Sequence, residues 1–223
     1  MFAFFKALPS NVCFIIDHWL SFYPVFLYFI NIFIKPNNGI NHSTMNPLPL
    51  SLIQQRFCLL SQKKSSAFLF NIYKECQFKG QLKLTILKQT LQFLIQRQTA
   101  LQLQISVSNT EMSQTINKDC QLDLDYQDWR ADDPKKQTQK LQELIDKQSN
   151  QSIDFNHSPL YRWVLIQTHD ETHHLFIFAH RISLDGWSLM LAIKDLADIY
   201  TAFKTGKTPE LPPIIIELPQ FIQ

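Results

Sequence analysis

The sequence has few of the residues that build several common kinds of binding site. It holds four glycines in 223 residues and no G-x-G-x-x-G run or P-loop, which argues against a nucleotide site. Its lysine pairs are isolated and the formal net charge is +2, so no nucleic-acid partner is indicated. No C-x-x-C pair or metal-ligand spacing occurs among the cysteines, which are Cys13, Cys58, Cys76 and Cys120. We therefore expect free thiols, a cytoplasmic protein and no metal site.

The chain does contain enough apolar side chains to form a hydrophobic core. Hydrophobic residues make up 45% of the chain and aromatic residues 13%, which suits one domain. From residue 50 onwards, helical and alternating apolar patterns interleave, and this predicts an α/β fold with a mixed sheet and flanking helices. The predicted helices are Leu50–Leu60, Leu84–Gln96, Pro134–Lys147 and Trp187–Phe203, and the predicted strands are Phe68–Phe78, Leu101–Ser108, Leu122–Tyr126, Leu160–Thr168 and His173–Ala179.

The most informative segment lies between the last predicted strand and the last predicted helix. The apolar strand ends on His180, a short loop follows, and Asp185 and Gly186 open the helix. Polar residues at the end of a core strand lie where a cleft can form on a rigid support. We expect Asp185 either to cap the helix or to pair with an arginine and brace the loop. We expect Gly186 to allow a tight turn and Trp187 to pack inside the fold.

This segment resembles the HHxxxDG motif of the condensation domains of nonribosomal peptide synthetases. His180, Asp185 and Gly186 match the motif, but Arg181 stands where the motif has its second histidine. The resemblance implies a chloramphenicol-acetyltransferase-like fold and a reaction that joins a thioester-bound acyl group to an amine. It also implies that both substrates arrive on the phosphopantetheine of peptidyl or acyl carrier proteins. The site residues that it implies are His180, Arg181, Asp185 and Gly186.

Five further pieces extend the resemblance from about Pro47 to Pro213, in the order of the family's motifs. In the third piece, Gln98, Thr99 and Gln102 replace the His, Glu and second Arg of the family pattern. We expect Arg56, in the first piece, to brace the fold through a carboxylate. The pieces are Ser51-Leu52-Ile53-Gln54-Gln55-Arg56-Phe57, Phe70-Asn71-Ile72, Gly80-Gln81-Leu82 with the helix through Arg97, Asp154-Phe155 with Pro159-Leu160 and Arg162, and Leu211-Pro212-Pro213.

The change to Arg181 bears directly on the chemistry. The attacking amine must lose a proton, and an imidazole can accept one near neutral pH. A guanidinium stays protonated and has no acceptor. We therefore expect Arg181 to orient a substrate or to stabilise negative charge on a carbonyl oxygen.

The family domain consists of two similar lobes, with the active site and both carrier tunnels between them. Residues 45–223 match the first, so we expect an N-terminal lobe that holds no cofactor and whose partners are carrier proteins and a C-terminal lobe outside this chain. The chain alone is then expected to be inactive. The residues leave open a non-catalytic remnant or binding module, and a fragment of a coenzyme A-dependent acyltransferase of the same superfamily.

Residues 1–44 have no counterpart in the family and form an apolar extension. Their most apolar part, Trp19–Ile34, is shorter than the roughly 20 residues of a spanning helix. Three interpretations stay open: unselected sequence upstream of a translation start at Met45, a membrane anchor through residues 11–35, or a buried helical appendage. We expect the extension to pack little against the lobe.

Two other pairs of residues lack the context that reactive groups need. His173 and His174 are adjacent on a predicted strand and should face opposite sides of it, so they do not form a metal site. Ser183 and Ser188 have no flanking nucleophile-elbow pattern. Neither pair therefore predicts metal or serine-hydrolase chemistry.

Overall fold

The computed structural model describes residues 6–7, 13–15, 47–61, 68–108, 111–157 and 159–214. These ranges form four α-helices and two β-sheets, so the predicted α/β class is confirmed. The helices are α1 (Leu52–Ser61), α2 (Leu84–Arg97), α3 (Pro134–Asn150) and α4 (Gly186–Lys204). The strands are β1 (Lys6–Ala7), β2 (Cys13–Ile15), β3 (Leu48–Pro49), β4 (Asn71–Lys79), β5 (Leu103–Val107), β6 (Met112–Ile116), β7 (Leu124–Asp128), β8 (Tyr161–His169) and β9 (Thr172–His180).

The larger sheet is mixed, as predicted, and has the strand order β1-β2-β4-β9-β8-β7. β8 and β9 form an antiparallel hairpin, and β4 pairs with β9 along its whole length. β7 runs parallel to β8 at one edge. A second, antiparallel sheet has the order β3-β6-β5.

Helices cover both faces of the larger sheet. One face packs against α2 and α4, where Leu175 and Ile177 of β9 are buried. On the other face, Phe176 and Phe178 of the same strand pack against Leu144 of α3. Because both faces of β8 and β9 are buried, their sequences contain unbroken apolar runs, Trp163–Ile166 and Leu175–Ala179, and do not alternate there.

Local sequence explains where the helices begin and which side they bury. The Asp133 side chain caps α3 by accepting hydrogen bonds from the backbone N–H groups of Lys135 and Lys136, both at 3.0 Å. Pro134 occupies the first turn, where a missing N–H costs nothing. The apolar stripe of α2 is fully buried and consists of Leu87, Leu91, Leu94 and Ile95.

A smaller core joins the second sheet and α1 to the segment that follows β9. Ile182 is buried in this core together with Leu50, Cys58, Ile105 and Leu160. The residues after β9 are therefore held between two layers of structure. This packing decides the geometry of the candidate site.

β6 and the start of β5 differ from the sequence-based expectation. The apolar patterns do not predict β6, because Ser113, Gln114 and Thr115 make most of it polar. Residues Thr99–Gln102 form a 3-10 turn where a strand is predicted to begin. The turn breaks the predicted alternation, and Gln102 is consequently buried.

The N-terminal extension reaches the larger sheet at the two places where the structure describes it. β2 pairs antiparallel with β4, and β1 pairs with β2. For these two strands the prediction of little packing is wrong, because an open sheet edge offers backbone hydrogen bonds to any extended segment. Trp19–Ile34, the apolar part of the membrane-anchor interpretation, lies outside the described residues. Among the residues that are described, no helix has the length and apolar character to cross a bilayer.

Candidate functional site

His180 is the last residue of β9, and its side chain is completely buried. Its ring lies among three phenylalanines, with centroid distances of 4.9 Å to Phe155 and 6.1 Å to both Phe57 and Phe70. Burial disfavours the charged imidazolium and lowers the pKa of His180 to about 4. The imidazole is therefore neutral at neutral pH.

Both ring nitrogens of His180 have partners inside the fold. The backbone N–H of Ile182 donates to Nδ1 over 3.1 Å, and the Oγ atom of Ser61 lies 3.2 Å from Nε2. Because Nδ1 accepts a hydrogen bond, we assign the single ring proton to Nε2, which donates to the Ser61 hydroxyl. Neither nitrogen has a free lone pair for a substrate. The ring thus holds the loop, and both of its nitrogens are engaged inside the fold.

Arg181 stands at the position of the motif's second histidine, and its side chain is exposed to solvent. Its backbone N–H donates to the carbonyl of Phe70 over 2.9 Å, which ties the loop to the turn before β4. The guanidinium has five N–H donors and no acceptor. The loop therefore presents a fixed positive charge where the family pattern has an imidazole.

Asp185 and Gly186 begin α4. The Oδ1 atom of Asp185 accepts a hydrogen bond from the backbone N–H of Ser188 over 2.7 Å, so the predicted capping role is confirmed. The prediction that Gly186 is needed for a tight turn is wrong. Its φ lies outside the left-handed region, and a Cβ atom placed there would meet nothing within 4 Å.

Trp187 is exposed over 52% of its surface, and Leu191 over 46%. The expectation that Trp187 packs inside the fold is therefore wrong for the described residues. The buried residues of the same helix, Leu189 and Ile193, are out of phase with Trp187 in the helical repeat. α4 consequently turns Trp187 away from the core.

Two buried amides close to the loop have no role assigned from sequence. Gln54 and Gln114 are 5% and 1% exposed, and Nε2 of Gln54 donates to the carbonyl of Ile182 over 3.4 Å. Gln54 belongs to the first family-like piece, which is its only signal in the sequence, and Gln114 lies on the unpredicted β6. Arg56, from the same piece as Gln54, is exposed and forms no ion pair within the described ranges. The prediction that it braces the fold through a carboxylate is wrong.

The departures from the family pattern near the end of α2 have structural roles. Gln102 donates to the carbonyls of Ile95 and Gln96 over 2.7 and 2.8 Å. Gln98 donates to Asp195 of α4 over 3.1 Å. These amides close the end of α2 and connect it to α4.

The residues that could bind metal stay apart. His174 contacts Glu75 on one face of the sheet, with 2.6 Å between Nδ1 and Oε1, whereas His173 lies beside Lys83 and Asp170 on the other face. The prediction that the two histidines face opposite sides is confirmed. Across the described ranges, no three His, Cys, Asp or Glu side chains form a cluster suited to a metal. The free thiols in those ranges are all buried and are Cys58, Cys76 and Cys120.

Known proteins resemble this chain in sequence and in fold. A family model described as the condensation domain matches residues 45–216. The chain belongs to the condensation-domain family. Malpinin synthetase of Mortierella alpina is 31% identical to it over 176 residues, and a linear gramicidin synthase of Brevibacillus parabrevis is 30% identical over 174 residues. These alignments cover 79% and 78% of this chain but 2% of each relative.

Two solved structures have the same fold as this chain. The starter condensation domain of rhizomide synthetase superposes with a TM-score of 0.72 at 20% identity, covering 80% of this chain and 44% of that chain. The X-domain from teicoplanin biosynthesis gives a TM-score of 0.69 at 20% identity, covering 81% and 38%. The described residues thus have the condensation-domain fold, and the chain spans less than half of each solved chain.

Proposed function

We propose that this chain is the N-terminal lobe of a nonribosomal peptide synthetase condensation domain. The family reaction is amide formation between a carrier-bound acyl thioester and a carrier-bound amine. The observation that carries the proposal is the segment from His180 to Gly186, which ends a buried strand, turns and opens a capped helix in the order of the motif. The match over residues 45–216 supports it.

The substrates of this proposed reaction arrive on phosphopantetheine arms of carrier proteins. The amine nitrogen attacks the thioester carbonyl and forms the C–N bond, the C–S bond breaks, and the proton that the amine loses is balanced by the proton taken up by the released phosphopantetheine thiol. Neither residue at the motif histidines accepts that proton: the lone pair of His180 Nδ1 already accepts from Ile182, and Arg181 has no acceptor. Arg181 instead stabilises negative charge on the carbonyl oxygen. The lobe therefore supplies binding and charge but no base.

A carrier-coupled condensation assay tests this proposal. We expect no amide product from the chain alone, because a single lobe does not align two thioester arms. When the chain is supplied with the C-terminal lobe of a relative, Arg181→His should raise the rate by about 10²–10⁴, the usual contribution of a general base. Arg56→His is the matched control, since it changes an exposed arginine on α1 that makes no ion pair within the described ranges.

Two results would contradict the proposal. One is amide formation by the unmodified chain without a second lobe. The other is an Arg181→His complex no faster than the Arg56→His complex. Either result would mean that the base lies elsewhere or that the reaction needs none.

A binding role without catalysis is the second candidate function. Large apolar side chains of α1 and α4 are exposed to solvent, among them Leu52 at 85%, Leu59 at 55% and Trp187 at 52%. Contiguous apolar patches are typical of surfaces that contact another protein, and these side chains could contribute to one. Carrier binding by the two-lobe assembly, with no product from the wild-type chain or from Arg181→His, would favour this candidate.

A further inference from the structure

We propose that Gln54 and Gln114 are positioning residues, which hold the loop after β9 through the carbonyl of Ile182. The loop carries Arg181, the side chain to which the proposed function assigns charge stabilisation. The catalytic consequence of the proposal therefore rests on that function. The positioning itself rests only on contacts inside the fold.

The two amides form a reciprocal pair in the interior. Nε2 of Gln54 donates to Oε1 of Gln114 over 2.9 Å, and Nε2 of Gln114 donates to Oε1 of Gln54 over 3.1 Å. Gln114 also donates to the carbonyl of Pro49 over 2.8 Å. A buried amide keeps one orientation when its donors and acceptors are all engaged. The pair is thus locked to β6 and to the chain before α1.

Gln54 also belongs to the cap of its own helix. Its Oε1 accepts from the backbone N–H of Ser51 over 2.9 Å, and its backbone N–H donates to Oγ of Ser51 over 3.3 Å. This is the reciprocal arrangement of a capping box, with glutamine in the third helical position. The start of α1 therefore fixes the side chain whose Nε2 reaches the loop.

The loop is held at Ile182 from two directions. Its N–H donates to Nδ1 of His180 over 3.1 Å, and its carbonyl accepts from Nε2 of Gln54 over 3.4 Å. The Ile182 side chain is 4% exposed and fills the smaller core. These bonds fix the peptide groups on both sides of Ile182. They therefore also fix the backbone position from which the side chain of the preceding residue, Arg181, extends into solvent.

Native-state amide exchange of the full chain tests this proposal. In Gln54→Met the carbonyl of Ile182 loses its buried donor, so we expect the Ile182 and Ser183 amides to exchange about tenfold faster or more, beyond any change in global unfolding. We also expect the ¹⁵N shifts of the His180 ring to move, because the Ile182 N–H no longer stays aligned with Nδ1.

The matched control is Gln102→Met. Like Gln54, Gln102 is only 5% exposed, and it also donates to two backbone carbonyls. These carbonyls, however, lie at the end of α2. If both substitutions only lowered the stability of the fold, amide exchange through global unfolding would rise in both variants. The loop amides would then exchange faster by the same factor as the rest of the core. The proposal is overturned if Gln54→Met leaves the Ile182 amide and the His180 ring unchanged, or if Gln102→Met changes them equally.

A second variant covers the case in which Gln54→Met does not fold. Gln114→Met removes the partner that fixes the Gln54 amide but leaves the capping box at Ser51 intact. We expect the same signals to change in the same direction by less than in Gln54→Met, and unchanged signals in Gln114→Met would overturn the proposal. Because no carrier or second lobe takes part, failure here counts against the positioning and leaves the proposed function standing.

Discussion

Protonation of His180 should control how the stability of this lobe depends on pH. The pKa of His180 falls from its ordinary value of 6.5 to about 4 on folding because the ring is buried. The unfolded chain therefore binds the proton more tightly than the folded chain. The stability that comes from keeping the ring neutral is fully present above about pH 6.5 and is lost as the pH falls through about 4. The difference amounts to about 3 kcal/mol, at about 1.4 kcal/mol for each pKa unit.

The variant His180→Gln isolates this contribution. Its free energy of unfolding in urea should start lower than that of the wild type, because the phenylalanine contacts of the ring are lost. Between pH 6.5 and 4, however, the wild type should lose stability more steeply than the variant, by up to about 1.4 kcal/mol per pH unit. Parallel curves for wild type and His180→Gln over this range would refute the buried, neutral ring. His157→Gln controls for the removal of an imidazole from the surface.

Three further changes probe the start of α4. Asp185→Ala should lower the free energy of unfolding by about 1 kcal/mol, because the Ser188 N–H loses its cap. Asp185→Asn should retain most of the wild-type stability, since an amide oxygen can also cap. Equal losses in the two variants would argue against a capping role. Gly186→Ala should leave the stability unchanged or raise it by up to about 1 kcal/mol, since the backbone is helical and the space is open, and a clear loss in urea unfolding would show hidden crowding. Trp187→Gln should change the stability of the lone chain by less than about 0.5 kcal/mol, whereas Trp163→Gln, at a 2% exposed position, should cost several-fold more; similar losses would mean that Trp187 is packed.

In the motif segment, the order of the elements could be predicted from the sequence, but the burial of individual side chains could not. The order of strand, loop and capped helix follows from neighbouring residues, and the structure has it as predicted. Whether a polar side chain in that segment faces solvent or the core does not follow from its neighbours. His180 and Trp187 show this, since the histidine is fully buried and the tryptophan is half exposed.

The contacts around the loop join segments that are far apart in the chain. Ser61 and His180 are separated by 119 residues, and Gln54 and Ile182 by 128. β6 brings Gln114 to the same place although its polar sequence predicts no strand. Such contacts depend on how the second sheet and α1 pack against the end of β9, which no local pattern encodes.

The sequence by itself therefore determined the local elements and the family. Helical apolar patterns predicted α2, α3 and α4, and alternating or unbroken apolar runs predicted β4, β8 and β9. Each of these depends on side chains within a few residues of one another. Only the tertiary structure decided that His180 is a neutral, fully bonded ring and that the Arg181 side chain, at the position of the second histidine, is exposed. Burial and hydrogen-bond partners are set by packing between distant segments, and packing is what changes the chemistry of an imidazole.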